Sequence, residues 1–257
     1  MSLLEASGLS FARRGRAVLE GIDLVVAAGE LVTVIGPNGA GKSTLLRVLA
    51  GMLSPLQGTL RLLGRDLGSY RPAARARLLG YHAQNPELNW PLSVRDIIAL
   101  GRLPHSANLG ALTRADHAAV MQAAARADLL GLLGRRGDSL SGGELARVLV
   151  ARLLAGEHRL LLADEPIANL DPRYQVDILA LLRAHADGGG ATVVVLHDLA
   201  MAARYSDRLV LLDGGRVQAD GPPHRVLTAA RLAASFGVDA DYLATSGIAA
   251  ALARAHA

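Results

Sequence analysis

Three short stretches carry residue types that could act on one phosphate chain. Residues 36–44 read GPNGAGKST. Gly36, Gly39 and Gly41, with Pro37, Asn38 and Ala40 between them, let the backbone curl so that several N–H groups face one point. A helix starting there adds its positive end. Lys42 supplies a compact ammonium for β and γ oxygens, and the Ser43 hydroxyl, followed by Thr44, can hold a divalent cation. The second stretch, LLLADEP at 160–166, places Asp164 and Glu165 at the end of an apolar run. An aspartate there suits a Mg²⁺ contact, and the glutamate beside it can polarise an attacking water. The same pair alone reads equally well as a helix N-cap; the phosphate loop upstream tips it toward chemistry. The third, LSGGE at 140–144, sets Ser141, Gly142, Gly143 and Glu144 before the helical run LARVLVARLLAG. That is another anion-binding helix start, and also a capping box from Ser141 to Glu144.

These stretches need elements to hold them. LVTVIG (31–36) is a short apolar, β-branched run ending in glycine and reads as a buried strand. KSTLLRVLAG (42–51) has leucines at helical spacing and a terminal glycine. RLLLAD (159–164) and ATVVVLH (191–197) read as further buried strands, with helical sequence following each. RLVLLDGGRVQADG (208–221) reads as a strand pair turning at Gly214–Gly215. The alternation predicts an α/β fold, a P-loop NTPase core with a mostly parallel sheet covered on both faces. GLSFARRGRAVLEGIDLVVAAGE, near the start, predicts an antiparallel β addition. Residues 93–155 are helical by periodicity. The predicted division is an α/β core over 1–85 and 157–235, an inserted helical subdomain over 86–156, and a tail over 236–257, Ala-rich and frayed at its end.

Composition narrows the class. The chain has 257 residues and no cysteine, so neither a disulfide framework nor a thiolate metal site is open to it. No apolar stretch reaches the length of a membrane span, and the first residues, MSLLEASGLS, have no signal-peptide pattern. The net charge is +4, but the arginines are scattered. Arg71, Arg75 and Arg77 form the one local cluster that could serve an anionic partner.

Taken together, the motifs resemble the nucleotide-binding subunits of ATP-binding cassette (ABC) transporters. GPNGAGKST resembles the Walker A loop, LLLADEP the Walker B strand and LSGGE the family signature. Gln84 in YHAQ resembles the Q-loop glutamine, Asn169–Leu170–Asp171 the D-loop, and His197 in VVVLHD the switch histidine. The resemblance implies ATP and Mg²⁺ as ligands. It also implies a head-to-tail pair in which ATP lies between Walker A of one copy and the signature of the other. Ser43, Gln84 and Asp164 would then face the metal, Glu165 the water, His197 the γ-phosphate, and Asp171 the nucleotide across the dimer. Three departures stand out. Glu144 and Leu145 replace polar residues common after the signature glycines. The D-loop, IANLD, lacks its frequent serine or threonine. Arg13, with Phe11 two residues earlier, stands where the family usually stacks an aromatic ring on adenine; a guanidinium can also stack on a base.

The wording NPELNWPLSVRDIIALGRLPH after Gln84, and the later DGGRVQADGPPHRVLT, is similar to ATPases of importers for iron chelates (siderophores, haem) and cobalamin. That implies transmembrane permease subunits as partners, a substrate-binding protein as an indirect one, and a peripheral place on the cytoplasmic face of the plasma membrane. Trp90, Leu92 and Val94 would line the groove for the permease. No nucleic-acid partner is expected. The competing reading is a soluble ABC-type clamp acting on nucleic acid or an assembly scaffold, which the basic pI of about 9.9 slightly favours and the absence of a tandem cassette or basic tail disfavours.

Lys42 is the only lysine in the chain. A phosphate loop has room for its slim stem, not for a planar guanidinium with its own hydrogen-bond fork. Lys42→Arg is therefore expected to keep the fold and lower ATP turnover by about 10²-fold or more. Normal turnover in that variant, measured by phosphate release, would make the lone lysine a coincidence.

Overall fold

The apolar runs form the middle of a six-stranded sheet. The computed structural model describes residues 2–84, 91–105, 112–239 and 241–254. Its strands are β1 (Ser2–Arg13), β2 (Arg16–Ala27), β3 (Leu31–Ile35), β4 (Gln57–Leu62), β5 (Arg65–Asp66), β6 (Leu79–His82), β7 (Leu160–Asp164), β8 (Ala191–Val195), β9 (Arg208–Asp213) and β10 (Arg216–Gly221). The large sheet has the order β10-β9-β3-β8-β7-β6. All its neighbours are parallel except the β9–β10 hairpin. β3, β7 and β8 are buried at every position, as strands covered on both faces must be.

Residues alternate between two cores. Val32, Val34, Leu160, Leu162, Val193 and Val195 face one side, where they meet α1 (Lys42–Leu49) and a second, antiparallel sheet ordered β2-β1-β4-β5. Leu31, Ile35, Leu161, Ala163 and Val194 face the other, toward the remaining helices. The antiparallel addition expected near the start is thus present, but larger. β4 and β5 were not evident in the sequence, nor was β6. Gly80 sits inside β6 because the His158 ring occupies its side-chain space: a Cβ there would lie 2.3 Å from Cδ2 of His158.

The other helices are α2 (Pro72–Leu78), α3 (Val94–Ala99), α4 (Arg114–Arg126), α5 (Gly142–Ala155), α6 (Pro172–Asp187), α7 (Leu199–Tyr205), α8 (Pro223–Val226), α9 (Ala229–Phe236), α10 (Tyr242–Thr245) and α11 (Ile248–Arg254). α3, α4 and α5 pack on one another around an ion pair that is almost closed to solvent. Arg102 Nε donates to Asp116 Oδ1 at 2.8 Å, and its Nη1 reaches Ala155 O and Glu157. The hydroxyl of Thr113, then Arg102, hold the Asp116 carboxyl well below the usual carboxylate range. Apolar packing runs unbroken from these helices to the sheet.

The tail is helical as far as Arg254, where α11 buries Ile248 and Ala251, and the frayed end expected beyond it lies outside the described residues. Two expectations change. Val94 is fully buried in the helical core and cannot line a docking groove, while Leu92 is half-buried against the same core; Trp90 lies outside the described residues. Arg77 and Arg75 are partly structural. Arg77 Nε donates to Pro104 O at 2.6 Å, and the Arg75 guanidinium crowds Gly51.

His82 and His158 are buried and His185 is half-buried, and each has a ring nitrogen closed to solvent that lacks a partner. Burial pushes each pKa from 6.5 down to about 4, helped by Arg152 beside His82, by His105 and His185 beside His158, and by Arg126 beside His185. Between those values the unfolded chain binds protons that the fold does not. Stability therefore falls as pH drops from about 6.5 toward 4, by up to about 1.4 kcal/mol per pH unit for each histidine. Urea unfolding midpoints across this window should show that decline, and His158→Leu should flatten it by about one proton's slope. Equal slopes in both proteins would contradict the assignment.

Candidate active site

The phosphate loop leaves β3 and is shaped by close backbone contacts. Gly36 has φ 150°, and a Cβ on it would sit 1.9 Å from the carbonyl oxygen of Leu212 on β9. Gly41 has φ 103°, and a Cβ there would lie 2.9 Å from the carbonyl oxygen of Val18. Only glycine serves at either place. Val18 is the extra residue of a bulge: Phe11 pairs with Leu19 and Ala12 with Ala17. A bulge re-aims its residue, and here it seats Val18 against the loop. The result is a cleft of about 220 Å³ lined by Val18, Asn38, Gly39, Gly41, Lys42, Ser43, Thr44, Glu165 and His197. Val18 has no sequence signal beyond being apolar in a hairpin.

Lys42 opens α1, and its ammonium bends back over the loop. Nζ donates to Gly36 O at 2.8 Å and to Pro37 O at 2.9 Å. Burial pushes its pKa below the usual lysine value, while the charges of Glu165 and Asp164 pull it back up. Ser43 Oγ donates to Asp164 Oδ1 at 3.0 Å, which joins the loop to the end of β7. Asp164 is fully buried. Burial raises its pKa, the Ser43 hydrogen bond lowers it, and the Glu165 charge raises it again. Tyr81 on β6 also reaches Asp164, with its hydroxyl 3.4 Å from Oδ2. Burial pushes that hydroxyl's pKa up, against a hydrogen bond with Arg47. Sequence reasoning missed both, because Tyr81 on β6 meets Asp164 across parallel strands and Arg47 comes from α1, and contacts between separate elements leave no local pattern.

Glu165 is the junction of the site. Its backbone is left-handed at φ 50°, a conformation that costs about 1–3 kcal/mol outside glycine. That turn keeps Glu165 at the same strand edge as Asp164, where plain alternation would send neighbours to opposite faces. Gln84 Nε2 donates to its Oε2 at 2.7 Å, and His197 Nε2 lies 2.6 Å from its Oε1. Three expected residues, far apart in sequence, thus meet on one carboxylate. The Ser43 hydroxyl, the Asp164 carboxylate and the Gln84 carbonyl are hard oxygen donors of the kind Mg²⁺ takes, so the residues present fit that ion.

The signature loop takes the capped form its sequence predicts. Ser141 Oγ accepts from Glu144 N at 3.3 Å, and Glu144 Oε2 accepts from Ser141 N at 2.8 Å. Arg135 pairs with the same Glu144 carboxylate at 3.4 Å. Gly143 has a second reason to be glycine: a Cβ on it would lie 2.2 Å from the Tyr174 ring of α6. None of Ser141, Gly142, Gly143 and Glu144 lines the phosphate cleft. Gly142 and Leu145 instead line a neighbouring cleft of about 210 Å³ with Gln84 and Glu165. Asp171 is exposed at the start of α6 and makes no capping bond. Phe11 is half-buried against the core, Arg13 is exposed at the hairpin end, and neither lines the phosphate cleft.

Known proteins resemble this chain in sequence and fold. Residues 19–168 match the ABC transporter family. The hemin import ATP-binding protein HmuV of Nocardia farcinica (strain IFM 10152) is 47% identical over 232 residues, 88% of this chain and 79% of that protein. The protein of the same name from Pseudomonas entomophila (strain L48) is 45% identical over 242 residues, 92% and 93% of the two chains. A solved metal-chelate type ABC transporter in an inward-facing conformation superposes with a TM-score of 0.82 at 28% identity, covering 93% of this chain and 90% of that one. No described helix is long and apolar enough to cross a membrane. With its phosphate loop, strand-end carboxylates and capped signature in place, this chain belongs to the ABC transporter family and is an ATPase.

Proposed function

We propose that the chain is the ATP-hydrolysing subunit of an importer for hemin or a closely related metal chelate. It would work as a head-to-tail pair bound to permease subunits on the cytoplasmic face of the membrane, with a substrate-binding protein delivering the cargo. The observation that carries the hydrolytic part is the Glu165 carboxylate, held by Gln84 and His197 beside the Lys42 ammonium. The cargo part rests on relatives named for hemin import at 45–47% identity. The paired arrangement is supported by the signature residues lying outside the lining of the phosphate cleft.

In this reading Lys42 turns from its two loop carbonyls to the β and γ oxygens, and backbone N–H groups of the loop hold the same phosphates. Ser43, Asp164 and Gln84 hold Mg²⁺, which when bound neutralises charge on the phosphate chain. Glu165 accepts the proton of the attacking water, and His197 steadies that carboxylate and reaches the γ-phosphate. Ser141 and the following amides close the site from the second copy. Arg13 or Phe11 stacks on adenine, and Asp171 faces the nucleotide from across the pair.

Glu165→Gln keeps the hydrogen-bonding shape but removes the base. Turnover should fall by about 10²-fold or more, while ATP should still bind and trap a dimer seen as a shift in sedimentation. Undiminished hydrolysis in that variant would remove Glu165 from this role.

A further inference from the structure

His197 is aimed by very little. Its side chain is 45% exposed, and its one hydrogen bond among the described residues is to Glu165. It stands in the two-residue link between the end of β8 at Val195 and α7, whose N-cap is Asp198. The imidazole therefore goes where β8 and α7 put it.

β8 is fixed in the middle of the sheet. α7 is a different matter. It has seven residues, LAMAARY, and three of them are alanine. A helix of two turns is not stable alone; its alanines bury little area, and of its larger apolar side chains Leu199 is buried while Met201 and Tyr205 are only partly so. Its ends are tied. Asp198 Oδ1 accepts from Met201 N at 2.9 Å, and Ser206, just past the last turn, shares a hydrogen bond with Thr33 on β3. Its outer flank is covered by α11, which packs chiefly on α7 and α10. Ile248, 1% exposed, is the fully buried large apolar side chain α11 contributes to the core that also holds Ala202 and Ala203, and Leu252 packs against it half-buried. The seam is not filled: a cleft of about 220 Å³ remains between Asp198, Met201 and Arg204 on one side and Gly247, Ala250 and Ala251 on the other.

We propose that Ile248 is a positioning residue for ATP hydrolysis, with α11 acting as a clamp that holds α7 and through it sets His197 against Glu165. The clamp acts on the chemical step, because α11 lines neither the phosphate cleft nor the signature loop. It also makes the C-terminal segment part of the catalytic apparatus of each subunit. The inference rests on the reading of His197 as a group that reaches the γ-phosphate.

The test uses the full chain, with Ile248→Ala, Ile248→Asp and Ile248→Leu measured at saturating and limiting ATP. Turnover should drop by about tenfold or more in the Ala and Asp variants, since small displacements of a reacting group are costly. KM for ATP should stay within about twofold, and Leu should restore the rate. The decisive arm combines Ile248→Ala with His197→Ala. If Ile248 acts through His197, it costs nothing further in that background. Equal losses with and without His197, or a fall in kcat that merely tracks a fall in Tm, would overturn the proposal. A normal rate in His197→Ala alone would instead remove the underlying role of His197, and so separates the two failures.

Discussion

The structure of this site depends on one constraint, the close backbone packing around the loop that holds Lys42. The ammonium is buried and kept by two carbonyls of its own loop. Those carbonyls are in reach because the loop is wedged between the carbonyl of Leu212 on β9 and the bulged Val18 of β2. Glycine at 36 and 41 is the condition for that fit. The large sheet supplies one wall and the antiparallel sheet the other, so neither layer makes the site alone.

From that loop, connectivity runs outward through single hydrogen bonds. Ser43 ties α1 to Asp164, Tyr81 ties β6 to the same carboxylate, and Gln84 and His197 tie two further segments to Glu165. Two acids in adjacent positions hold separate networks because Glu165 takes a left-handed backbone. The strain at one residue separates a buried carboxylate, suited to a cation, from a more accessible one suited to water. The capped signature helix stands apart from this network. Glu144 and Arg135 secure its first turn, and the Tyr174 ring of α6 lies against Gly143, so the anion-binding end of α5 is held by its own cap and by α6.

Some features were legible because they are local. The glycines of GPNGAGKST, the lone lysine, the capping pair Ser141 and Glu144, and the buried runs LVTVI, LLLAD and ATVVV each state their structure within a few residues. Others were hidden because their reason lies elsewhere in the chain. Gly80 is explained only by His158, Gly143 by Tyr174, and β4 only by its pairing with β1. The family resemblance assigns Val94 to the permease groove, yet the partners that bury it come from α4 and α5. The docking of the C-terminal helix was hidden because alanine says nothing of a partner; α7 provides one.

By itself the sequence determined the chemistry on offer: which phosphate loop, which strand-end carboxylates, which capped helix start, and the family they mark. Residue type and short spacing are enough for that, since each motif is a single turn of chain. Only the tertiary structure decided which groups meet. Val18 and Tyr81 enter the site from neighbouring strands and Arg47 from α1, and Gln84, Glu165 and His197 converge from segments that are far apart in sequence. Such contacts are set by sheet order, register and a bulge, and these emerge only when apolar runs pair so that both faces of the sheet are buried.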